Sequence, residues 1–420
     1  MLGQVRKAAA DRRPSQSRYT LWESKYENQR VRTQVAIIGA GPAGLVLAHL
    51  LGLRGITSVV LEHRSRAYVE ARVRAGVLEQ GTVDLLRQMG VAARMDREGL
   101  VHHGLELRFE GQGHRIPLTE LANCRSIMVY GQQEVVKDLI QARLEAGGQI
   151  MFEAQATSLL DLESSHPRVR FRHNGTEDEL EVDIVAGCDG FHGGSRDAVP
   201  PDALTIYDKE YAYAWLGILA AVAPSNEELI YVRHERGFAL HSMRSPQITR
   251  LYLQVNPEDD VSHWPDDRIW DELQVRLATN DGFHLESGPI LEKSITVLRS
   301  FVVEPMHYGR LYLVGDAAHI VPPTGAKGMN LAVADANVLA GALADWYSSG
   351  SSAQLDAYSA TCLRRVWRAE HFSWWMTTML HRHADDPFMD RLGVSNLRYV
   401  VSSPSAARTL AENYVGLQTV

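Results

Sequence analysis

The stretch QVAIIGAGPAGLVLAHLLGLRGITSVVLE, residues 34–62, decides the fold. Gln34–Ile38 is short, apolar and rich in β-branched side chains, which predicts a strand. GAGPAG, residues 39–44, predicts a turn, Leu45–Leu53 a buried helix, and Ser58–Leu61 a second strand ending at Glu62. Strand, turn, helix and strand make a βαβ unit with a right-handed crossover. Gly39 permits the tight turn, Gly41 lets a pyrophosphate approach the backbone, and Gly44 lets the helix pack on the sheet. The helix N-terminus offers unpaired N–H groups and a partial positive charge to phosphates. Glu62 lies 23 residues beyond Gly39, where a carboxylate accepts both hydroxyls of a ribose and repels a 2′-phosphate. A glycine-rich turn without a ligand is the bland alternative. The strand before, the helix after and the acid at this distance together outweigh it. The unit alone does not separate NAD from FAD.

The same stretch raises a membrane question. Val35–Leu53 holds 19 residues without Asp, Glu, Lys or Arg, nearly a bilayer span. Gly39, Gly41, Pro42 and Gly44 break it, so the strand–turn–helix reading stands. Across the 420 residues, 45% hydrophobic and 22% charged side chains are near the globular average, which excludes a disordered, collagen-like or coiled-coil chain. The length predicts roughly two or three domains. Lys+Arg 43 against Asp+Glu 51 gives a net charge of −8, a poor match for nucleic acid or an anionic membrane. Cys124, Cys188 and Cys362 are too far apart for a disulfide framework, and no CxxC pair points to a metal. A reducing cytoplasm is the expected location. Residues 1–30 carry seven Lys/Arg and three Asp/Glu without an apolar core, which excludes a secretory signal and predicts a disordered extension or a start codon assigned upstream of the true one, ahead of an organellar targeting peptide.

Further along, Gln80–Met89 and Glu134–Glu145 have helical spacing, and Glu181–Ala186 reads as a strand running into GCDG. Between about 205 and 300 the texture changes. Tyr213–Val222, Glu228–His234, Gly237–Met243 and Arg250–Val255 are short β-branched and aromatic runs between turn signals, which predicts an antiparallel sheet. Arg310–Val314 returns to a buried strand before Gly315 and Asp316. From Met329 the pattern is helical, and Cys362–His383 is a helix carrying three tryptophans.

Three motifs follow in order: the glycine turn, Asp189-Gly190, and GDAAH at residues 315–319. An Asp at a strand end, taken alone, is more often a turn cap. The ordered set resembles the flavoprotein aromatic hydroxylases, the single-component FAD monooxygenases. Longer strings carry the resemblance further: RVRAGVLEQG (72–81), CDGFH (188–192), GFAL (237–240), LRSFVVEP (298–305), GDAAHIVPPTGAKG (315–328) and ENYVGL (412–417). Together they cover about residues 32 to 417, and within the family they are most similar to the enzymes acting on 4-hydroxybenzoate.

The resemblance implies that NAD(P)H reduces FAD, that O₂ forms a flavin C4a-hydroperoxide, and that its distal oxygen attacks the ring ortho to a phenol, giving 3,4-dihydroxybenzoate. The site should then be dry and closable. Ionising the phenol needs a proton path, and buried tyrosines and a histidine suit one. By position, Tyr231 contacts the phenol oxygen, Tyr414 continues the relay, and His102 is its solvent end. Arg244 binds the carboxylate, helped by Ser242 and Tyr252, since an arginine fork meets a carboxylate bidentately. Taken without the resemblance, Tyr231 reads as a core aromatic, His102 as a surface histidine and Arg244 as a solvated turn residue. The Pro323 carbonyl touches the substrate region. The cofactor set is Gly39, Gly41, Gly44, Glu62, Arg72, Arg74, Gln132, Asp189, Asp316, Lys327, Met329 and Asn330. Free N–H groups near Asn330 would face the flavin where negative charge builds on reduction.

The implied fold is α/β. A Rossmann-like FAD-binding domain spans 31–205 and is completed by 306–345. Residues 206–305 form an antiparallel substrate sheet, and 306–420 an FAD-contacting, helical interface region. The family pattern favours a homodimer. This chain departs from the pattern at Ala43, at His63 and Arg64 in the segment through Tyr68 that tunes coenzyme choice, at Met329, and at His241, which alternates outward from Ser242. NADPH and NADH both remain open as donors. The rival readings are a hydroxylase of another phenolic acid and, from a different class, a non-catalytic dinucleotide-fold binding protein.

Overall fold

A computed structural model of the protein describes residues 31–416 apart from Ala75. The extension read into residues 1–30 lies outside the described residues. Strand β1 (Val35–Ile38), helix α1 (Pro42–Leu53) and strand β2 (Ser58–Glu62) form the expected unit, and every residue of both strands is buried. Buried on both faces, these strands carry near-continuous apolar side chains. They belong to a six-stranded sheet in which β3 (Ile184–Gly187) flanks β1 and Gln149–Phe152 flanks β2. The pairings of Gln149–Phe152, β2, β1 and β3 are all parallel. The edge beyond β3 is completed by one more parallel strand from residues 311–313 and an antiparallel pair at His307–Tyr308.

The second large sheet has eight strands and carries the other half of the site. Strand β4 (Thr205–Ala220) is 16 residues long, well beyond the expected Tyr213–Val222. It lies between β7 (Ile248–Val255) and the 15-residue β8 (Ile290–Glu304), a strand the sequence reading did not find. Strands β5 (Leu229–His234) and β6 (Gly237–Ser245) continue the antiparallel order. The sheet then takes Leu105–Phe109, parallel to β5, and Gln112–Ile116 from within 31–205. Thus the antiparallel sheet expected over 206–305 draws strands from outside that segment.

One face of this sheet packs Ile218, Ile230, Ala239, Leu251 and Leu253 against the helix Asp266–Leu277. The opposite face, with Trp215, Tyr231, Phe238 and Leu240, is covered by the C-terminal helices. Strand β9 (Leu311–Leu313) leads to α2 (Gly328–Ser349), α3 (Tyr358–Leu380), α4 (Pro387–Ser402) and α5 (Pro404–Val415). Arg233 fastens the cap to the sheet: it donates to the Met379 and His381 carbonyls and pairs with Asp390. The mixed architecture, a parallel dinucleotide-type sheet, an antiparallel sheet and a helical C-terminal region, is the expected α/β class.

Candidate active site

Four neighbouring parallel strands end on one edge, and each delivers one motif there: β1 the glycine turn, β2 Glu62, β3 Asp189, β9 the Gly315–Asp316 turn. Carboxyl ends of parallel strands are where open α/β sheets bind ligands. The three turns touch. A Cβ on Gly39 (φ +104°) would meet the Cys188 carbonyl oxygen at 2.5 Å and the Asp189 Cα at 3.0 Å, and one on Gly315 would meet the Ala43 Cβ at 3.5 Å. On Gly44 it would lie 2.1 Å from the Gly39 carbonyl oxygen, so only glycine lets helix and strand close up. Gly41 is different: nothing lies within 4 Å of the place its Cβ would occupy. It caps α1 without a side-chain bond, and Leu45 N is the donor that returns to the Gly41 carbonyl, at 3.0 Å. The N–H groups of Ala43 and Gly44 are therefore without intrahelical partners beside open space.

That cradle fits a dinucleotide. Glu62, 6% exposed, accepts from Ala40 N and Arg64 N at 2.8 Å each, which fixes its carboxylate and leaves acceptor capacity for ribose hydroxyls. Asp189 Oδ2 accepts from Ser195 N and Oγ, both at 2.9 Å, while its buried Oδ1 has no partner. Burial pushes the Asp189 carboxyl up. Asp316 retains accessible surface although protein surrounds it, as expected of a group lining a cleft. Its carboxyl is pushed up by desolvation, opposed by His319, Arg74 and Arg72. Arg72 and Arg74 follow the helix Arg66–Ala71 and face the same cleft. Gln132 sits half-buried at the first turn of the helix Gln132–Glu145.

Two of the expected cofactor residues, Lys327 and Asn330, have side chains that are bonded within the protein, which leaves their backbone N–H groups as what they can offer a cofactor. Lys327 is 3% exposed, and its ammonium donates to Glu79 Oε1 at 2.6 Å, the Asn413 carbonyl at 2.5 Å and the Tyr414 carbonyl at 3.0 Å. An ammonium has three N–H donors, so none is left for a cofactor. Asn330 is equally occupied. Its amide donates to the Val77 and Ala326 carbonyls at 3.1 and 2.8 Å and accepts from Glu79 N and Thr82 Oγ1 at 2.9 and 2.8 Å. Both side chains brace the site from behind. Met329 is buried in the core of the parallel-sheet layer.

The second wall of the candidate site is one face of the antiparallel sheet. Tyr231 opposes Leu240, which opposes Tyr252, and Ser242 opposes Arg250. Opposed residues share a face, so these side chains stand together. Arg244 sits at a register irregularity between Met243 and Ser245, where a bulge re-aims the side chain. Its Nη1 donates to Ser242 Oγ and the Met243 carbonyl, both at 2.9 Å, while Nε is buried and unpartnered. Desolvation lowers the Arg244 pKa. Arg250, 8% exposed, lies 5.2 Å from the Tyr252 ring and leaves Nε and Nη1 without hydrogen bonds; Glu292 is 4.0 Å away. Burial would raise the Tyr252 phenol, but Arg244 and Arg250 outweigh it and hold the phenol below its ordinary value. Two incompletely bonded guanidiniums in one pocket suit an anionic ligand. Sequence reasoning missed Arg250; its signal is the single alternation that separates it from Tyr252. Gly217 makes room for it, since a Cβ there would meet Arg250 Nη2 at 2.8 Å.

Facing these cations, the Tyr231 and Tyr414 hydroxyls are 2.5 Å apart, 2% and 1% exposed. Burial pushes both phenols up, so both are neutral at working pH. Pro323 is exposed between buried neighbours, and its carbonyl accepts from Ala326 N at 2.9 Å. His102 is not at the surface. Val101 takes the outward position of the strand Leu100–His102, which leaves His102 1% exposed with both ring nitrogens unpartnered and its pKa pushed down to about 4 by desolvation. No hydrogen bond joins it to the tyrosine pair. His241 points away from the pocket, as its alternation predicts, but into the core rather than solvent. It accepts from Ser225 N at 3.1 Å and is pushed down to about 4 by burial, then by Arg108 and His102. His381, 0% exposed, stacks on Tyr213 and Phe238 at 4.4 and 4.5 Å between centroids. Trp215 donates to its Nε2 at 2.6 Å, so the Nδ1–H donates to the Thr377 carbonyl at 2.8 Å and the ring is neutral, pushed down to about 3 by burial.

Among the described residues no cluster of His, Cys, Asp or Glu could hold a metal ion, and no helix is long and apolar enough to cross a membrane. The sequence profile of the family described as "FAD binding domain" matches residues 32–373. The chain is 50% identical over 390 residues to the p-hydroxybenzoate hydroxylase of Acinetobacter baylyi, covering 93% of this chain and 96% of that one. It is 24% identical over 374 residues to a probable NADH-specific resorcinol 4-hydroxylase of Rhodococcus jostii, covering 79% and 62%. The fold matches the crystal structure of the p-nitrophenol 4-monooxygenase of Pseudomonas putida with a TM-score of 0.81 at 18% identity, covering 93% of this chain and all of that one. With its strand-end cradle, its buried tyrosine pair and this profile match, the chain belongs to the flavoprotein aromatic hydroxylases, the FAD-dependent monooxygenases.

Proposed function

We propose that the protein hydroxylates 4-hydroxybenzoate to 3,4-dihydroxybenzoate, using FAD, O₂ and NADPH or NADH. The carrying observation is the pairing of opposites in one pocket: Arg244, Arg250, Ser242 and Tyr252 at the anion end, and the 2.5 Å Tyr231–Tyr414 hydroxyl pair at the other. FAD would be held by the α1 N-terminus and Gly41 at its pyrophosphate, by Glu62 at a ribose, by Asp316 at the ribityl chain, and by Arg72, Arg74, Gln132 and Asp189 around them. When bound, it takes two electrons from the nicotinamide and activates O₂ for insertion. Residues 31–205 with 306–345 serve the cofactor, and the antiparallel sheet serves the substrate.

The protein's own part is binding, orientation and one proton. Arg244 engages the carboxylate, and Ser242 and Tyr252 complete its hydrogen bonds. That fixes the ring direction and places the phenol against Tyr231. The phenol proton passes to Tyr231 as Tyr231 hands its own to Tyr414 and Tyr414 releases its own to solvent beyond the pair, so the substrate becomes phenolate, the stronger nucleophile, and both tyrosines end neutral. Covering helices keep bulk water from the wall. Supporting a cytoplasmic location, Cys188 and Cys362 are buried free thiols. Exposed Trp367, Trp374, Phe388 and Tyr399 on the C-terminal helices favour a homodimer face. Oxygen uptake with 4-hydroxybenzoate and chromatographic identification of the catechol test the reading. Nicotinamide oxidation without any hydroxylated product, across a panel of hydroxybenzoates, overturns it; hydroxylation of a different panel member moves it to another phenolic acid.

A further inference from the structure

The turn that carries Asp316 has little structure of its own. It is a single 3-10 segment, Gly315–Ala317, between β9 and the short strand His319–Ile320. Gly315 has φ +65°, and a Cβ there would meet the Ala332 Cβ at 2.8 Å, so α2 presses directly on the turn. One turn further along α2, Asp335 is 1% exposed. Its Oδ2 accepts from Gly315 N at 3.1 Å and meets His319 Nε2 at 2.6 Å. A single carboxylate oxygen thereby ties both ends of the GDAAH segment. His319 is also 1% exposed. Burial disfavours its charge, but Asp335, then Asp316 and Glu370, outweigh that and hold its pKa above the ordinary value. Arg196 adds a third tie, donating to the Ala317 carbonyl at 3.0 Å.

We infer that Asp335, with His319, is a positioning residue for the cofactor: the pair fixes the Gly315–Asp316 turn and so aims the Asp316 carboxylate into the FAD cleft. Asp335 lies behind the turn and acts through it. The inference rests on the reading of Asp316 as an FAD contact, and the test separates the two. FAD is titrated into flavin-stripped full-length protein, with quenching of flavin fluorescence as the signal, for Asp316→Ala, Asp335→Asn and the double variant.

Asp335→Asn keeps an acceptor for Gly315 N–H and loses the charge facing His319; it weakens FAD binding about tenfold, and Asp335→Ala weakens it further. In the Asp316→Ala background, Asp335→Asn changes affinity less than about twofold, because no carboxylate is left to aim. At saturating FAD, Asp335→Asn also alters the visible circular dichroism of the bound flavin, which a loss of general stability does not. Equal fold-losses in both backgrounds, with an unaltered flavin spectrum, overturn the inference alone. An Asp316→Ala protein that binds FAD normally overturns the reading of Asp316 and the inference with it. If Asp335→Asn does not fold, His319→Gln runs the same cycle with the same outcomes.

Discussion

Where the four parallel strands end, the molecule offers backbone; on the face of the antiparallel sheet it offers side chains. The cradle works through unpaired N–H groups at Ala43 and Gly44 and through glycines that let Cys188, Gly39 and Ala332 close in. The wall consists of Arg244, Arg250, Tyr252 and the Tyr231–Tyr414 pair, which come from three strands and a distant helix. A backbone site is robust to the identity of its neighbours but intolerant of a methyl group. A side-chain site tolerates shape changes and fails when a charge or hydroxyl is removed.

The largest expected effect separates the two regions by pH. His102, His241 and His381 are buried neutral on the wall side, with pKa values pushed down to about 4, 4 and 3. Each takes up a proton more readily when unfolded, so the stability they confer is complete above their unfolded pKa near 6.5 and is lost as pH falls towards 4. A shift of this size corresponds to about 3 kcal/mol per residue. His319 in the cradle has a raised pKa, so its contribution is complete below about 6.5 and declines as pH rises. Hydrogen exchange at pH 5 against pH 8 should therefore show β5–β7 opening before β1 and β2. Simultaneous opening would erase the contrast.

Next, Arg244→Gln should weaken 4-hydroxybenzoate binding at least about thirtyfold, the consequence of removing a half-buried, hydrogen-bonded charge. FAD affinity should stay within about twofold. Substrate titration of the flavin absorbance checks the first, and flavin fluorescence the second. Tyr414→Phe should lower the hydroxylation rate about a hundredfold while leaving substrate affinity near that of the parent. Its rate should also lose the pH dependence that belongs to phenol ionisation, read by single-turnover kinetics. Smallest, Gly41→Ala adds a methyl group where no protein atom lies within 4 Å. The melting temperature of the flavin-free protein should not change, while FAD affinity falls about tenfold.

The cradle was legible in the sequence because its demands are local: Gly39, Gly41, Gly44 and Glu62 state a backbone conformation within one unit. The wall was less so. Strand β8 escaped because the first half of ILEKSITVLRSFVVE interrupts its apolar residues with Glu292, Lys293 and Ser294 and is not buried, and only pairing with β4 makes it a strand. Strand Leu105–Phe109 joins the wall through β5, a contact no local pattern announces. The motif around Lys327 and Asn330 does not announce where their side chains go, because several of their hydrogen-bond partners, Glu79, Thr82 and Val77, lie 248 and more residues away. His102 looks like a solvent histidine beside His103, but the strand Leu100–His102 turns it inward, and His103, past the strand's end, is exposed.

The Tyr231–Tyr414 bond spans 183 positions of the chain. During synthesis, the strand that supplies one hydroxyl exists long before the helix that supplies the other, and closing so long a loop is slow. The cofactor turns are all translated by the time Asp316 emerges. A chain synthesised as far as residue 345 therefore holds every residue proposed for the cofactor and still lacks the Tyr414 hydroxyl that completes the pair.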